Sequence, residues 1–345
     1  MSKPPPRLLF ASVLDRIQPS LELVERSMRE QLASESDLVR GIGEHVLASG
    51  GKRVRPALLL LASELCGYTG PRRIQVAAAV ELLHTATLLH DDVVDLAVQR
   101  RGHPSANAVW GNRRAVLAGD FFYARASSMI VEDGDLEILT VFSNTIRRMA
   151  EGEILQLELS FDPSVSEAQY YQVIERKSAV LLSAACEAGA ILGGVTRAER
   201  RRVAEFGREL GLAFQLRDDA LDYAAGEREL GKLPYTDLRE GKVTLPLLLT
   251  LKRSAPAERE RIGGVLKAAA RVSVAHGGSA ATDALPEGEL ASVLELVARH
   301  RGVEDAVRRA EDHVTRAAQA LAPFQEGSAK AALLSAARFA VARAS

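Results

Sequence analysis

The stretch Glu81-Leu-Leu-His-Thr-Ala-Thr-Leu-Leu-His-Asp-Asp-Val-Val-Asp95 begins as an apolar helical pattern and ends in three aspartates. Asp91 and Asp95 are four residues apart, so a helix places them one above the other, with Asp92 beside them. His84 lies two helical turns before Asp91 on the same face. Carboxylates at a helix C-terminus repel one another and meet the negative end of the helix dipole. The cluster therefore requires a cation, and ligands that are all oxygen favour Mg²⁺.

A second stretch, Phe214-Gln-Leu-Arg-Asp-Asp-Ala-Leu-Asp222, repeats this arrangement. Its carboxylates are Asp218, Asp219 and Asp222, and Gln215 precedes them on the same predicted helix. A single cluster of this kind is more typical of a solvated acidic helix end. Two copies, each closing an apolar helix, indicate instead that both clusters face one cavity.

The composition is that of a chain with a large core and a balanced charge. It has 345 residues, of which 47% are hydrophobic and 26% charged, with 44 basic and 45 acidic side chains. This balance provides no electrostatic field for binding nucleic acid. The two cysteines, Cys66 and Cys186, lie in apolar helical patterns and are expected to be buried free thiols of a reducing compartment.

The beginning of the chain gives no sign of export. Residues 1–7 run directly into an amphipathic pattern with acidic residues and do not resemble a signal peptide. No apolar run approaches the roughly 18 residues that a membrane-spanning helix needs. We therefore expect a cytoplasmic protein without a transmembrane segment.

Nearly every segment has the hydrophobic period of a helix, and no stretch shows the alternation of a β-strand. The sequence predicts an all-α fold in which residues 1–345 form a single large helical domain. The first acidic cluster is expected to end a central helix over 72–95, and the second to end a helix over 197–223. Residues 98–105 are expected to form a polar loop, and the Ala- and Gly-rich residues 255–286 a surface loop region.

Basic residues lie beside both acidic clusters, at loops and helix ends. They are Lys52, Arg53 and Arg55 after a glycine turn, Arg100 and Arg101 after the first cluster, Lys177 with Ser178 in a helix, and Lys232, Arg239 and Lys242 after the second cluster. Each alone is more typical of a solvated surface charge, and His84 alone of a satisfied core histidine. Together they indicate a ligand that is anionic at one end and apolar at the other. A diphosphate ester of a hydrocarbon fits, because Mg²⁺ bridges carboxylate and phosphate oxygens and Arg binds phosphate with two parallel hydrogen bonds.

These residues give the chain a resemblance to the trans-isoprenyl (polyprenyl) diphosphate synthases. The matching motifs are, in order, Gly51-Lys-Arg-Val-Arg-Pro56, Leu83-His84, Asp91-Asp-Val-Val-Asp95 with Arg100-Arg101, Lys177-Ser178, and Gln215 with Asp218-Asp-Ala-Leu-Asp222. The similarity covers about residues 38–249 well, and residues 81–95 and 152–157 are most similar to the octaprenyl type. The resemblance implies a helical bundle of the isoprenoid synthase type around a central cavity, used as a homodimer. It also implies a Mg²⁺-dependent prenyltransferase that condenses isopentenyl diphosphate onto an allylic diphosphate, with farnesyl diphosphate as the expected primer and quinone side chains as the expected use.

The same resemblance implies a role for each motif residue. The direct Mg²⁺ ligands would be Asp91, Asp95 and Asp218, supported in catalysis by Asp92, Asp219 and Asp222. Isopentenyl diphosphate would be bound by Lys52, Arg55, His84 and Arg101. The allylic diphosphate would be bound by Arg100, Lys177, Ser178, Gln215, Lys232 and Lys242.

Product length is expected to depend on side chains one to two turns before Asp91. In the family, aromatic residues at the positions of Ala86 and Thr87 mark short-chain enzymes, because a ring blocks the tunnel for the growing hydrocarbon. Both residues are small here, so we expect an open tunnel and a long-chain product, with Leu83 available to line its deeper wall. The alternative is that Ala86 only packs against a neighbouring helix.

The chain departs from the family pattern at two positions. Ser178 stands where Thr is usual, and its hydroxyl keeps the same hydrogen-bonding capacity. Tyr235 replaces a glycine that usually stands two residues before Asp237, so the sequence leaves open how the loop that carries Lys232 and Asp237 closes.

The motifs bear differently on four other functions. A shorter-chain synthase, making farnesyl or geranylgeranyl diphosphate, stays possible from the motifs alone. A terpene cyclase would carry a second metal motif of Asn/Asp, Ser/Thr and Glu, which the sequence lacks. A non-catalytic partner subunit would lack the acidic motifs, and a Ca²⁺-binding helical scaffold leaves the arginines unexplained.

Overall fold

The computed structural model describes residues 6–51, 53–224, 235–275 and 287–342. It is 81% helical with almost no strand, so the predicted all-α fold is confirmed. No helix within these ranges is long and apolar enough to cross a membrane.

The helices before residue 135 carry the first acidic motif. They are α1 (Pro6–Gln31), α2 (Asp37–Ala48), α3 (Val54–Leu65), α4 (Arg72–Val94), α5 (Ala106–Trp110) and α6 (Asn112–Asp133). Between α4 and α5, a two-stranded antiparallel hairpin pairs β1 (Gln99–Arg100) with β2 (His103–Pro104). The predicted loop at 98–105 therefore contains a short ordered hairpin.

The later helices carry the second acidic motif. They are α7 (Leu136–Glu158), α8 (Glu167–Ile174), a π-helical turn (Glu175–Ala179), α9 (Val180–Leu192), α10 (Arg197–Ala224), α11 (Thr236–Arg239), α12 (Leu245–Arg253), α13 (Pro256–Ala275), α14 (Glu287–Arg299), α15 (Gly302–Ala320) and α16 (Ser328–Ala342).

The two motif helices begin and end within one residue of their predicted bounds. Helix α4 is buried over most of its length because its apolar side chains are not confined to one stripe. It packs closely along α6, where a Cβ on Gly119 would lie 2.3 Å from His90 Nε2. Helix α10 instead buries one stripe, including Leu212, Leu216 and Ala220, in the core of its part of the molecule.

The chain packs as two compact units, each containing one acidic motif. The first unit is Met1–Arg147, Leu181–Arg208 and Ala317–Phe339, and the second is Arg148–Val180, Glu209–Arg316 and Ala340–Ser345. The single domain and the central cavity stay predictions.

The predicted surface loop at 255–286 is wrong for residues 256–275, which form α13. Ile262, Val265, Leu266 and Ala269 are buried at helical spacing and hold this helix to the core of the second unit. The many alanines and two adjacent glycines of this segment make its hydrophobic stripe weak in the sequence. Residues 276–286 lie outside the described part of the chain.

The two cysteines are buried free thiols, as predicted. Burial raises the pKa of the Cys66 thiol to about 11, so it is not a reactive thiolate at neutral pH.

Candidate active site

The first acidic motif ends α4 with its middle aspartate buried. Asp92 is 3% exposed, and its carboxylate accepts a hydrogen bond from Arg100 Nε at 2.6 Å. Asp91 and Asp95 are only partly buried. The protein thus neutralises the middle carboxylate itself and leaves solvent access to the outer two.

A two-residue hairpin turn directs the arginines that follow this motif. Arg101 (φ 54°) and Gly102 (φ 79°) both adopt the left-handed backbone that a type I′ turn requires. This conformation costs a non-glycine residue roughly 1 kcal/mol, and the Arg101 guanidinium hydrogen bonds to the Gly50 carbonyl oxygen. A Cβ on Gly51 would lie 2.7 Å from Arg101 Nη1, so a larger residue there would displace the guanidinium. Arg100 therefore turns to the acidic motif, and Arg101 to the glycine turn.

The buried side chains near Arg101 carry an excess of positive charge. Arg53 donates to Glu81 at 3.2 Å and to Glu25 at 3.1 Å. The Nε atom of Arg55 and the Oε2 atom of Glu81 are buried without a hydrogen-bond partner. Burial lowers the pKa of Arg55 to about 10, against the opposing effect of Glu81. An unsatisfied buried guanidinium N–H is a donor that an anionic ligand would complete.

His84 on α4 is held neutral by the same surroundings. Burial first, and then the charges of Arg55, Arg101, Arg100 and Arg53, keep the pKa of His84 well below its usual value of 6.5. A neutral imidazole offers one donor and one acceptor, so His84 can hydrogen bond without adding charge.

This neutral histidine predicts a pH-dependent stability. Below pH 6.5 His84 becomes protonated in the unfolded chain but stays neutral in the folded protein. The contribution of His84 to the free energy of unfolding is therefore complete above pH 6.5 and is lost as the pH falls. The loss is at most about 1.4 kcal/mol per pH unit. The thermal unfolding temperature of the wild type should fall more between about pH 7.5 and pH 5.5 than that of His84→Gln. Equal slopes in the two proteins would show that His84 takes no part.

The second acidic motif ends α10 and also has a buried middle aspartate. Asp219 is 3% exposed. Its Oδ2 accepts from the Tyr170 hydroxyl at 2.6 Å and its Oδ1 from Gln215 Nε2 at 2.7 Å. The Gln215 Oε1 atom accepts in turn from Ser178 Oγ at 2.9 Å. Asp218 is partly buried, so here too solvent reaches an aspartate beside a buried one.

The last aspartate of this motif binds the backbone of the following loop. Asp222 accepts hydrogen bonds from the backbone N–H of Thr236 at 3.1 Å and of Asp237 at 3.0 Å, one on each oxygen. Tyr235 has φ 62°, so it keeps the left-handed backbone that glycine would adopt without strain. Its ring packs against the core of the second unit. Tyr235 thus adopts a left-handed backbone at the start of the segment that Asp222 binds.

The π-helical turn presents Lys177 and Ser178, and two glycines allow it to pack closely. A Cβ on Gly152 would lie 2.7 Å from the Lys177 backbone nitrogen, and one on Gly211 would lie 2.5 Å from Ala179 Cα. The Lys177 Nζ atom forms an ion pair with Glu153 at 2.7 Å. Such π-helical turns occur often at functional sites, since they shift the side chains that follow.

Lys177 and Ser178 line a cavity of about 110 Å³ in the second unit. Its polar wall includes Lys177, Ser178, Gln215, Asp219 and Lys242, and its apolar wall includes Leu159, Val165, Val173, Ile174 and Val243. Four of the six residues predicted to bind the allylic diphosphate thus share one cavity. Lys232 and, in the first unit, Lys52 lie outside the described residues.

Burial disfavours the negative charge on three carboxyl groups at or near this cavity. Burial raises the pKa of Asp219 to about 6, and it raises the pKa of Asp222 and, more strongly, of Asp237. Across the described residues, no three His, Cys, Asp or Glu side chains converge as a ready-made metal site. A hard cation such as Mg²⁺ would fit a partly buried carboxylate such as Asp218 if diphosphate and water completed its ligands, which is how Mg²⁺ is usually bound.

The predicted chain-length residues occupy two different settings on α4. Ala86 and Leu83 are 1% and 2% exposed. Thr87 is partly exposed, and its hydroxyl donates to the His84 carbonyl oxygen at 2.8 Å. Ala86 shares a helix face with His90, which lies against α6, whereas Thr87 shares the face of Asp91.

Fold and site define a class of protein, namely all-helical enzymes that bind diphosphate esters through acidic helix ends and clustered cations. The sequence model of the polyprenyl synthetase family matches residues 36–276, and the chain belongs to this family. Members of the family act on isopentenyl and allylic diphosphates and bind diphosphate through divalent metal.

The similar proteins agree in fold and sequence. The octaprenyl diphosphate synthase of Escherichia coli (strain K12) is 39% identical over 320 residues, which are 93% of this chain and 94% of the relative. A polyprenyl synthase from Caulobacter crescentus CB15, complexed with calcium and isoprenyl diphosphate, has a TM-score of 0.88 and 38% identity, covering 97% of this chain and 98% of that one. A decaprenyl diphosphate synthase from Rhodobacter capsulatus has a TM-score of 0.87 and 35% identity, with 96% and 98% covered. The predicted prenyltransferase activity is confirmed, and the relatives support the long-chain trans type.

Sequence reasoning missed several residues that build the site. Tyr170 and Glu81 read as ordinary members of helical patterns, because their partners are distant in sequence. Gly152 and Gly211 carried a weak signal, since a glycine inside a helical pattern often marks close packing.

Proposed function

We propose that this chain catalyses the Mg²⁺-dependent, sequential head-to-tail addition of isopentenyl diphosphate to an allylic diphosphate, and so makes a long-chain trans-polyprenyl diphosphate. The observation that carries the proposal is the shared design of the two acidic motifs. In each motif the middle aspartate, Asp92 or Asp219, is buried and hydrogen bonded by protein donors. We assign direct Mg²⁺ binding to the more accessible Asp91, Asp95 and Asp218, with Asp222 in support through its loop contacts.

In the proposed reaction, the chain's cations stabilise the charge that grows on the departing diphosphate. Bound Mg²⁺ supplies Lewis-acid neutralisation of the same diphosphate. Lys177 and Lys242 bind its oxygens as the allylic C–O bond ionises, and the motif match assigns Arg100 to the same diphosphate. The double bond of isopentenyl diphosphate attacks the allylic carbocation, and loss of one proton, with the released diphosphate as the proposed base, leaves an allylic diphosphate one isoprene unit longer.

We assign isopentenyl diphosphate to the arginine-rich side of the first unit. Arg55 has an unsatisfied buried N–H there, and Arg101 is held at the glycine turn that precedes Lys52. The neutral His84 adds a hydrogen-bonding group without further charge. Ser178 and Gln215, which hydrogen bond to each other, belong to the allylic side with Lys177, and we place Lys232 there from the motif match.

The adjacent arginines should therefore serve different substrates. Arg100 pairs with Asp92 of the acidic motif, whereas Arg101 contacts Gly50. We expect Arg100→Ala to raise the KM for the allylic diphosphate by roughly tenfold, and Arg101→Ala to raise the KM for isopentenyl diphosphate similarly. Steady-state kinetics with each substrate varied in turn measures this division. It is contradicted if both variants weaken both substrates equally.

Three finer assignments belong to the same proposal. Farnesyl diphosphate is the proposed primer, and quinone side chains are the proposed use of the product. A homodimer is supported by apolar side chains on α6 that face solvent, among them Leu117, Tyr123 and Val131 at 65%, 39% and 61% exposure. The cytoplasmic location stays a prediction.

The activity is tested by incubating purified protein with isopentenyl diphosphate, Mg²⁺ and farnesyl diphosphate, and then weighing the products by mass spectrometry. We expect a ladder of diphosphates that ends beyond geranylgeranyl diphosphate. Parallel reactions with geranyl and geranylgeranyl diphosphates identify the preferred primer. A product that stops at three or four isoprene units, or a cyclised hydrocarbon, would replace the proposal by one of the alternative functions.

A further inference from the structure

Tyr170 on α8 places a buried hydroxyl group at the proposed allylic site. The residue is 4% exposed and lines the same cavity as Lys177 and Lys242. We propose that Tyr170 is a positioning residue for the second acidic motif, and that it acts through Asp219 on the site of the allylic diphosphate and its metal. This inference rests on the proposed function and deepens it.

The hydrogen bonds around Asp219 have a defined direction. The Tyr170 hydroxyl donates to Asp219 Oδ2, and Gln215 Nε2 donates to Asp219 Oδ1. Because an ionised carboxylate only accepts, Asp219 fixes the Gln215 amide with its nitrogen towards the acid and its oxygen towards Ser178. Each group in this chain thus determines the orientation of the next.

Two of these hydrogen bonds connect α10 to the segment formed by α8 and the π-helical turn. Tyr170 binds Asp219 at one end, and Ser178 binds Gln215 at the other. The segment carries Lys177, and α10 carries Asp218. The pair of bonds therefore sets the spacing between a cation and a carboxylate that would bind the same diphosphate.

Removing the Tyr170 hydroxyl would break the hydrogen bond that joins α8 to Asp219 on α10. Asp219 is almost inaccessible to water, so an oxygen that loses its donor cannot be solvated without movement. The carboxylate is then expected to rotate and to change its bond to Gln215. Neighbouring groups that orient metal or phosphate ligands typically contribute roughly 10-fold to 100-fold in affinity or activity.

The next residue provides a matched control. Tyr171 has its ring 5.8 Å from that of His313 and hydrogen bonds to the side chain of Arg309. It is more exposed than Tyr170 and does not line the cavity. Tyr171→Phe removes the same hydroxyl group one position along the chain, without touching Asp219.

The experiment compares wild type, Tyr170→Phe and Tyr171→Phe in kinetics and in ligand binding without turnover. We measure KM for both substrates, the Mg²⁺ concentration for half-maximal activity, and binding of inorganic pyrophosphate with and without Mg²⁺ by calorimetry. Tyr170→Phe should raise the allylic KM and weaken Mg²⁺-dependent pyrophosphate binding roughly tenfold, while KM for isopentenyl diphosphate changes little. Tyr171→Phe should match the wild type in all of these.

Two other outcomes overturn the inference. A Tyr170→Phe variant with wild-type allylic KM and pyrophosphate binding shows that the hydroxyl does not position the site. Equal rises in KM for both substrates show a merely structural role. A wild type that elongates no allylic diphosphate would refute the proposed function instead, and the calorimetry distinguishes the two failures because it needs no turnover.

Discussion

Replacing Asp218 by Asn should reduce turnover by at least about 3 kcal/mol in transition-state stabilisation, or roughly 10²-fold in kcat, with the helical circular dichroism unchanged. Asp91→Asn and the alanine variants at both positions should do the same. Asn keeps the volume of the side chain and removes the negative charge that a hard cation requires. In the second motif, Asp219 and Asp222 already accept hydrogen bonds from protein donors on both oxygens, which fits supporting roles. The measurement is kcat as a function of Mg²⁺ concentration.

Asp312→Asn is the matched control for this prediction. Asp312 is an exposed residue of α15, so the variant makes the same change of charge away from the acidic motifs. It should keep the wild-type rate and the wild-type response to Mg²⁺. An Asp218→Asn enzyme with near wild-type kcat and Mg²⁺ dependence would refute the metal assignment.

A phenylalanine introduced at Ala86 or Thr87 should convert a long-chain product into one of about four isoprene units or fewer. The physical reason is that a ring one to two turns before Asp91 would occupy the proposed tunnel for the growing hydrocarbon. Condensation itself should continue, because the acidic motif is unchanged. Thr87 is the better position, since it is partly exposed and shares the helix face of Asp91, whereas Ala86 is 1% exposed and a ring there must displace its neighbours.

Product mass from matched reactions tests this placement. Thr87→Val is the control, because it keeps the size and the β-branch of threonine and should leave product length unchanged. If Thr87→Phe and Ala86→Phe fold, condense and still release the wild-type product, the tunnel does not pass these positions. The same result would refute the assignment of Leu83 to the deeper wall of the tunnel.

The middle aspartate of each motif has a different role from the aspartates beside it. The middle carboxylate serves the protein, since Asp92 holds Arg100 and Asp219 joins Tyr170 to Gln215. The bond from Arg100 holds the β1–β2 hairpin to the end of α4, and the bond from Tyr170 holds α8 to the end of α10. Variants of the middle residues should therefore affect the orientation of neighbours as well as charge, which makes Asp91 and Asp218 the cleaner tests of metal binding.

The sequence by itself determined the helical class and the bounds of the two motif helices. These features depend on local patterns, namely an apolar period, terminal carboxylates and residues adjacent in the chain. Local patterns failed at α13, where a buried stripe ran through an Ala- and Gly-rich stretch. They also did not predict the tight hairpin that turns Arg101 away from Arg100.

Only the tertiary structure decided which polar groups are paired, buried or neutral. Tyr170 and Asp219 are 49 residues apart in sequence, and no spacing rule connects them. The low pKa of His84 depends on burial and on arginines contributed by the start of α3 and by the hairpin. Hydrogen bonding and desolvation depend on three-dimensional neighbours, whereas periodicity depends on neighbours along the chain. The acidic motifs could therefore be predicted from the sequence, while the hydrogen bonds that hold them in position could not.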